Sequence, residues 1–80
     1  MYRTYIGIKD EETKNKLESI CRDINQRDPT FRFAIRPSTL PKYKWLLIVG
    51  SPDKDTAHRR GMWLIKKTGI EGLLYWVKPR

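Results

Sequence analysis

Hydrophobic and polar positions alternate in three short stretches of the chain and merge into one apolar run in a fourth. The alternating stretches are residues 2–8, 31–36 and 73–78, and their spacing of two predicts strands with one buried face. The apolar run, from Tyr43 to Gly50, contains four successive aliphatic residues before a Gly-Ser-Pro break. A run of this kind predicts the central strand of a sheet.

Two segments between these strands have the period of amphipathic helices. In residues 11–25 the apolar positions share one stripe, which consists of Leu17, Ile20, Cys21 and Ile24. In residues 52–68 the inward stripe consists of Ala57, Gly61, Leu64, Ile65 and Thr68. Asp10 and Ser51 are the expected N-caps, and Gly69 is the expected left-handed cap. A glycine inside the second helix, Gly61, predicts a close approach of helix to sheet.

The order strand, helix, strand, strand, helix, strand is typical of the ferredoxin-like βαββαβ fold. We therefore expect an α+β protein with a single domain over residues 1–80. Right-handed crossovers predict a four-stranded antiparallel sheet in the order 4-1-3-2, with both helices on one face. The side chains expected to be buried are Leu17, Ile20, Ile24, Phe33, Ile35, Leu64 and Ile65.

Charge narrows the range of partners. The chain has 17 Lys and Arg against 9 Asp and Glu, a net charge of +8, which favours a polyanionic partner and above all nucleic acid. A single cysteine excludes an internal disulfide framework and a cysteine-based zinc site. No stretch has the length of a membrane span or the pattern of a leader, so we expect a cytoplasmic protein without a membrane partner. No cofactor or metal site is expected.

The sheet face that the helices leave uncovered is the candidate binding surface. Alternation in the first, second and fourth strands directs six side chains there: Arg3, Tyr5, Arg32, Arg36, Trp76 and Lys78. The third strand has two possible faces, of which one contains Tyr43, Trp45, Leu47 and Val49 and the other Lys44, Leu46 and Ile48. We favour the first set on the uncovered side, because Tyr43 and Trp45 would then join Tyr5. Either choice exposes apolar groups, which predicts a dimer or a covering partner.

Two stretches of the chain resemble the motifs of RNA-recognition-motif domains. Thr4 to Ile8, T-Y-I-G-I, is similar to the short motif of that family's first strand, with Tyr5 at its stacking position. Tyr43 and Trp45 match the two alternate aromatic residues of the family's third strand, whereas the glycine of that longer motif is absent and Ile48 replaces its last aromatic residue. The resemblance implies binding of RNA or single-stranded DNA by Tyr5, Tyr43 and Trp45, with Lys44 beside them.

A second candidate contact surface lies on the second helix, away from its apolar stripe. It consists of Lys54, His58, Arg59, Met62 and Trp63. A charged helix face in contact with solvent is the simpler interpretation, but an exposed tryptophan often marks an interface. His58 has no partner at a spacing useful for catalysis or metal binding.

Three classes of function remain, and a nucleic-acid-binding module is the preferred one. An alternative is a small protein-binding inhibitor or adaptor from a phage or other mobile element. A less favoured alternative is a metal-dependent nuclease-like dimer, because Asp10 after the first strand is similar to the acidic residue of the small ferredoxin-like proteins of CRISPR adaptation. The sequence has no phosphate-binding glycine loop and no His or Cys pair of catalytic spacing, so an enzyme is not expected.

Overall fold

The predicted βαββαβ order is confirmed in the computed structural model, which describes all residues from Met1 to Arg80. The elements are β1 (Tyr2–Ile8), α1 (Glu11–Arg27), β2 (Phe33–Pro37), β3 (Trp45–Ser51), α2 (Lys54–Thr68) and β4 (Tyr75–Pro79). The first strand has its predicted bounds. The other three strands begin two residues later than the alternation (β2 and β4) or the apolar run (β3) indicated, because turns and loops occupy their first positions.

The four strands form one sheet in the order β2-β3-β1-β4, which is the predicted order counted from the other edge. Every neighbouring pair is antiparallel. Both helices pack on the same face of this sheet, since Leu17 and Cys21 of α1 and Leu64 of α2 join one buried cluster with β1 and β3. The opposite face, which has no helix over it, is the open face.

Strand register decides which side chains face the helices. Ile6 of β1 lies opposite Leu47 of β3 and Tyr75 of β4, and Val49 of β3 lies opposite Phe33 of β2. Directly paired residues share a face, so these side chains all point toward the helices. The preferred orientation of the third strand was therefore wrong, because Leu47 and Val49 are fully buried under the helices.

The core combines both central strands with both helices. Its buried hydrophobic members are Ile6, Ile8, Leu17, Cys21, Phe31, Leu47, Val49 and Leu64. Of the seven side chains predicted to be buried, Leu17 and Leu64 are fully so. The other five are half-buried and pack against this cluster: Ile20, Ile24, Phe33, Ile35 and Ile65. Helix α1 and β2 thus keep one edge of their apolar stripe at the surface.

Local capping fixes where the helices begin and end. Asp10 caps α1 as predicted, and its carboxylate accepts from the Thr13 backbone N–H at 2.8 Å. The N-cap of α2 is Asp53 rather than Ser51, because Ser51 still belongs to β3 and is buried. Gly69 ends α2 with a φ of 68°, in the left-handed region expected for it.

Gly61 lets α2 come close to the sheet, as predicted. A Cβ atom at this position would lie 2.5 Å from Cδ2 of Tyr75 and 3.0 Å from Cγ2 of Thr4. One turn earlier, the Thr4 hydroxyl donates to the Ala57 carbonyl oxygen at 2.7 Å. Side chains from two neighbouring strands therefore occupy the space that a larger residue in α2 would need.

Candidate nucleic-acid interface

Three aromatic rings meet on the open face. Tyr5 and Trp76 are directly paired across β1 and β4, and their rings are almost parallel, at 8°, with centroids 5.9 Å apart. The ring of Tyr43 lies 5.9 Å from Trp76 at an angle of 29°. Trp76 is common to both pairs, and all three side chains remain partly exposed. We call Tyr5, Trp76 and Tyr43 the aromatic platform.

Gly7 leaves the space in which the ring of Tyr43, the third ring of this platform, packs against the sheet. A Cβ atom on Gly7 would meet three consecutive ring atoms of Tyr43, all closer than 3.0 Å and at nearly equal distances. Near-equal distances to consecutive ring atoms require the face of the ring, not its edge, to lie against Gly7. The ring therefore covers the sheet surface and turns its other face outward. The Lys9 ammonium lies 6.0 Å from the centroid of this ring.

An apolar row crosses the whole open face at the level of the platform. Trp76 pairs with Tyr5, Tyr5 with Ile48, and Ile48 with Ala34, which places one residue from each strand in line. All four are half-buried, and no helix covers them. Such a continuous apolar row, bordered by polar side chains, is typical of a surface that meets a partner.

Cationic side chains border this row and no acidic side chain does. In the neighbouring row, Lys78 lies opposite Arg3 and Arg3 opposite Gly50, where the absence of a side chain leaves open space. Arg36 lies on the other side of the row, opposite Leu46. All nine acidic residues lie in helices or loops, so no strand contains one. The strands therefore bring only cations to the open face, which favours an anionic partner there.

Arg3 and Lys78 form a like-charge pair across neighbouring strands. Directly opposed cations destabilise a sheet unless an anion lies near them. The single ion pair of the molecule, Arg22 with Glu18, is on α1 and compensates neither of them. An anion bound to the open face would relieve this repulsion.

The structure brings most of the predicted site residues together and separates one. Direct strand pairing places four of them on the open face: Arg3, Tyr5, Trp76 and Lys78. Tyr43 lies on the same face because its ring packs against Gly7. Arg36 reaches this face from β2 by alternation with Phe33 and Ile35. Arg32 lies just before β2, where its carbonyl oxygen accepts from the Gly50 N–H at 3.2 Å, and both arginines are exposed.

Trp45 does not belong to the open face, which corrects the sequence interpretation. It pairs with Ile8, packs against the core and lies with its ring 5.0 Å from the Lys14 ammonium of α1. Tyr43 reaches the open face because it precedes β3 in a turn, where its N–H donates to the Leu40 carbonyl oxygen at 3.2 Å. Lys44, between the two aromatic residues, is exposed.

Sequence reasoning missed Gly7 and Lys9 as parts of this site. An isolated glycine inside a strand pattern indicates that another group approaches the backbone closely. That signal was present at Gly7 but did not reveal which group approaches. Lys9 follows the strand, and its position over Tyr43 depends on the turn before β3.

The second predicted surface is only partly formed. Lys54, Arg59, Met62 and Trp63 are exposed on α2. His58 is turned away from them and is half-buried, with Nδ1 at 3.1 Å from the Tyr75 hydroxyl and its ring edge against the Tyr75 ring. His58 therefore packs helix against sheet and does not contribute to an exposed patch.

Cys21 and Asp10 are candidate reactive residues, but the surroundings of each give it a structural role. Burial raises the pKa of the Cys21 thiol to about 12, so the nucleophilic thiolate is suppressed. The backbone and hydroxyl of Thr13 lower the pKa of Asp10 and hold its carboxylate as the α1 cap. No group of three or more His, Cys, Asp and Glu side chains that could hold a metal ion is formed.

The sequence matches no model of a known protein family, and it matches no curated protein either. Neither helix has the length and apolar character needed to cross a bilayer.

Proposed function

We propose that this protein binds single-stranded nucleic acid, either RNA or single-stranded DNA, across the open face of its sheet. The observation that carries the proposal is the aromatic platform of Tyr5, Trp76 and Tyr43 on a sheet face whose charged strand residues are all cationic. Flat aromatic groups bind any base by stacking, and neighbouring cations bind the sugar-phosphate backbone. The combination is therefore suited to an unpaired strand.

Stacking on the platform is the first part of the proposed mechanism. Tyr43 already lies flat on Gly7 with one face turned outward, so a base can stack there without a change in the sheet. The row from Trp76 to Ala34 continues the apolar surface across the sheet. Bases laid along this row would cover the half-exposed groups that the folded chain leaves open to water.

Phosphate binding is the second part. Arg3 and Lys78 are held side by side next to the platform, and Arg36 lies across the apolar row from them. Arginine binds phosphate through two parallel hydrogen bonds, whereas lysine acts as a compact charge. A bound strand with its bases on the row would bring its phosphates to one or both of these borders.

A salt titration tests whether Arg32 and Arg36 contact phosphates. A labelled single-stranded oligonucleotide is titrated into the wild type and into Arg32→Gln/Arg36→Gln at several salt concentrations. Each lost single-strand phosphate contact should reduce the slope of log affinity against log salt by about 0.7, so two lost contacts should reduce it by about 1.4. The matched control is Lys16→Gln/Lys67→Gln, which removes the same charge from exposed helix positions on the covered side.

The two double variants separate a local effect from one of net charge. The proposal predicts a flatter slope for the β2 variant and a nearly wild-type slope for the helix variant. Equal slopes in both would show that Arg32 and Arg36 do not hold the phosphates. Absence of wild-type binding at low salt would rule out the function itself.

A further inference from the structure

A groove between the two helices is separate from the open face and has a different chemistry. It runs between the C-terminal end of α1 and the outer side of α2, and its volume is about 840 Å3. Phe31 and Leu64, both buried, contribute to its floor, and Ile24 lies beside them. We call this surface the α1–α2 groove.

Two large apolar side chains of this groove are exposed to solvent. Met62 is 56% exposed and Trp63 is 48% exposed, which makes them two of the five large hydrophobic side chains that the fold leaves uncovered. Methionine and tryptophan are enriched at protein interfaces, and clustered exposed apolar groups rarely occur on a monomer without a partner. Their position next to a concave apolar floor indicates a site for bulky side chains.

The rim of the groove is cationic and lacks internal ion pairs. Arg27, Arg59 and Lys66 line it, and none has a carboxylate within ion-pair distance, because the molecule's single ion pair is elsewhere. Asp28 is the only acidic lining residue, and its carboxylate already accepts from the hydroxyl and backbone N–H of Thr30. The rim therefore complements a partner with negative charge around an apolar centre.

Arg60 gives the groove a fixed wall. Its guanidinium donates to the Gly50 carbonyl oxygen at 2.6 Å and lies 5.4 Å from the centre of the Phe31 ring. This side chain thereby ties α2 to the end of β3 and covers one side of Phe31. A groove with a fixed wall and a buried floor needs little rearrangement to accept a ligand.

We propose that the α1–α2 groove docks an acidic segment of a partner protein that presents at least one bulky apolar anchor. Apolar anchors would occupy the floor between Phe31 and Met62, while acidic side chains would pair with Arg27, Arg59 and Lys66 at the rim. Amphipathic helices bind inter-helix grooves in this way. A second copy of this chain is disfavoured, because it would bring two cationic rims together. A nucleic-acid strand is less suited, because bases stack on exposed ring faces, whereas the ring of the floor, Phe31, is buried and has Arg60 on one side.

A display selection with random peptides as the probe tests this proposal. The peptide library is selected against the wild type, and the affinities of the recovered peptides are then measured for the wild type, Trp63→Ala and Arg59→Glu. Recovered peptides should be acidic and carry spaced bulky apolar residues. Each groove variant should weaken their binding by about tenfold or more, as expected for an aromatic or arginine hot spot. Lys16→Glu, on exposed α1, is the control for a reversed charge and should bind as the wild type does.

Three outcomes would overturn the proposal. The first is recovery of peptides without acidic enrichment, or with affinities that Trp63→Ala and Arg59→Glu leave unchanged. The second is displacement of a recovered peptide by a single-stranded oligonucleotide from wild type but not from Arg32→Gln/Arg36→Gln, which would place the peptide on the open face. The third is concentration-dependent self-association that Trp63→Ala abolishes, because the groove would then be occupied by a second copy. Circular dichroism of each variant identifies any loss of fold.

Discussion

The ring of Tyr43 lies face-on against the backbone of Gly7, on the side of the sheet opposite the helices. This relationship joins a turn residue to a central strand and completes the aromatic platform with Trp76 and Tyr5. It also explains a glycine inside β1, where glycine otherwise weakens a strand.

Replacement of Gly7 by alanine should disrupt the platform while leaving its three rings in the sequence. The new methyl group would occupy the position of the Tyr43 ring, so the ring must move away from the backbone of β1. We expect weaker oligonucleotide binding by Gly7→Ala, measured by fluorescence anisotropy. Gly50→Ala is the matched control, because a Cβ atom there meets nothing within 4 Å. Equal affinity of the two variants would mean that the seated ring does not contribute to binding.

The separation of Tyr43 from Trp45 shows where sequence reasoning stopped. Alternation identified the faces of β1, β2 and β4, since their polar and apolar residues differ clearly. In β3 both faces are aliphatic, so Leu46 and Ile48 could not be distinguished from Leu47 and Val49 by pattern. The pairing with β1 decides the register, and pairing is a property of the assembled sheet. Tyr43 does not follow the alternation of β3, because it lies in the turn before this strand.

Fold and site thus differ in how far the sequence could predict them. The order of elements, the helix stripes and the close approach at Gly61 each depend on local pattern, and each prediction is confirmed. The platform and the α1–α2 groove depend on contacts between residues far apart in the chain. Phe31 in particular was assigned to a strand, whereas it contributes to the groove floor just before β2.

Gly61→Ala should lower stability although alanine is the better helix former. The gain in helix propensity is about 1 kcal/mol, whereas overpacking against Tyr75 and Thr4 costs about 1–3 kcal/mol. We expect a lower midpoint in thermal unfolding. Ser19→Ala, at an exposed position of α1, should leave the midpoint unchanged or raise it. A rise in the midpoint for Gly61→Ala would contradict the close packing of α2 on the sheet.

Cys21 should be unreactive while the protein is folded. The thiol is fully buried, so a reagent cannot reach it. Burial also raises its pKa to about 12, so almost no reactive thiolate forms at neutral pH. A chromogenic disulfide reagent should react with one thiol per chain in denaturant and with almost none in native buffer. Rapid reaction in native buffer would mean that α1 does not pack on the sheet as described.

Stability should decrease in acid because two helix caps are carboxylates. Hydrogen bonds from Thr13 and Thr56 lower the pKa values of Asp10 and Asp53 below their ordinary value of 3.8. A depressed folded-state pKa stabilises the fold above the unfolded pKa, and this stabilisation is lost as the pH falls through the folded value. Thermal midpoints should therefore fall as the pH drops below about 4. Asp53→Asn, which can still cap, should reduce this dependence, and an unchanged pH profile would exclude the Asp53 contribution.

The most direct test of nucleic-acid binding compares the two tryptophans on opposite faces of the sheet. Trp76 is the shared ring of the platform, whereas Trp45 packs under the helices. Dissociation constants for a single-stranded oligonucleotide are measured for the wild type, Trp76→Ala and Trp45→Phe at high salt, where stacking outweighs charge. Stacking contributes about 1–3 kcal/mol per base, so Trp76→Ala should bind roughly 5- to 150-fold more weakly and Trp45→Phe like the wild type. Wild-type affinity in a folded Trp76→Ala variant would contradict binding by the open face.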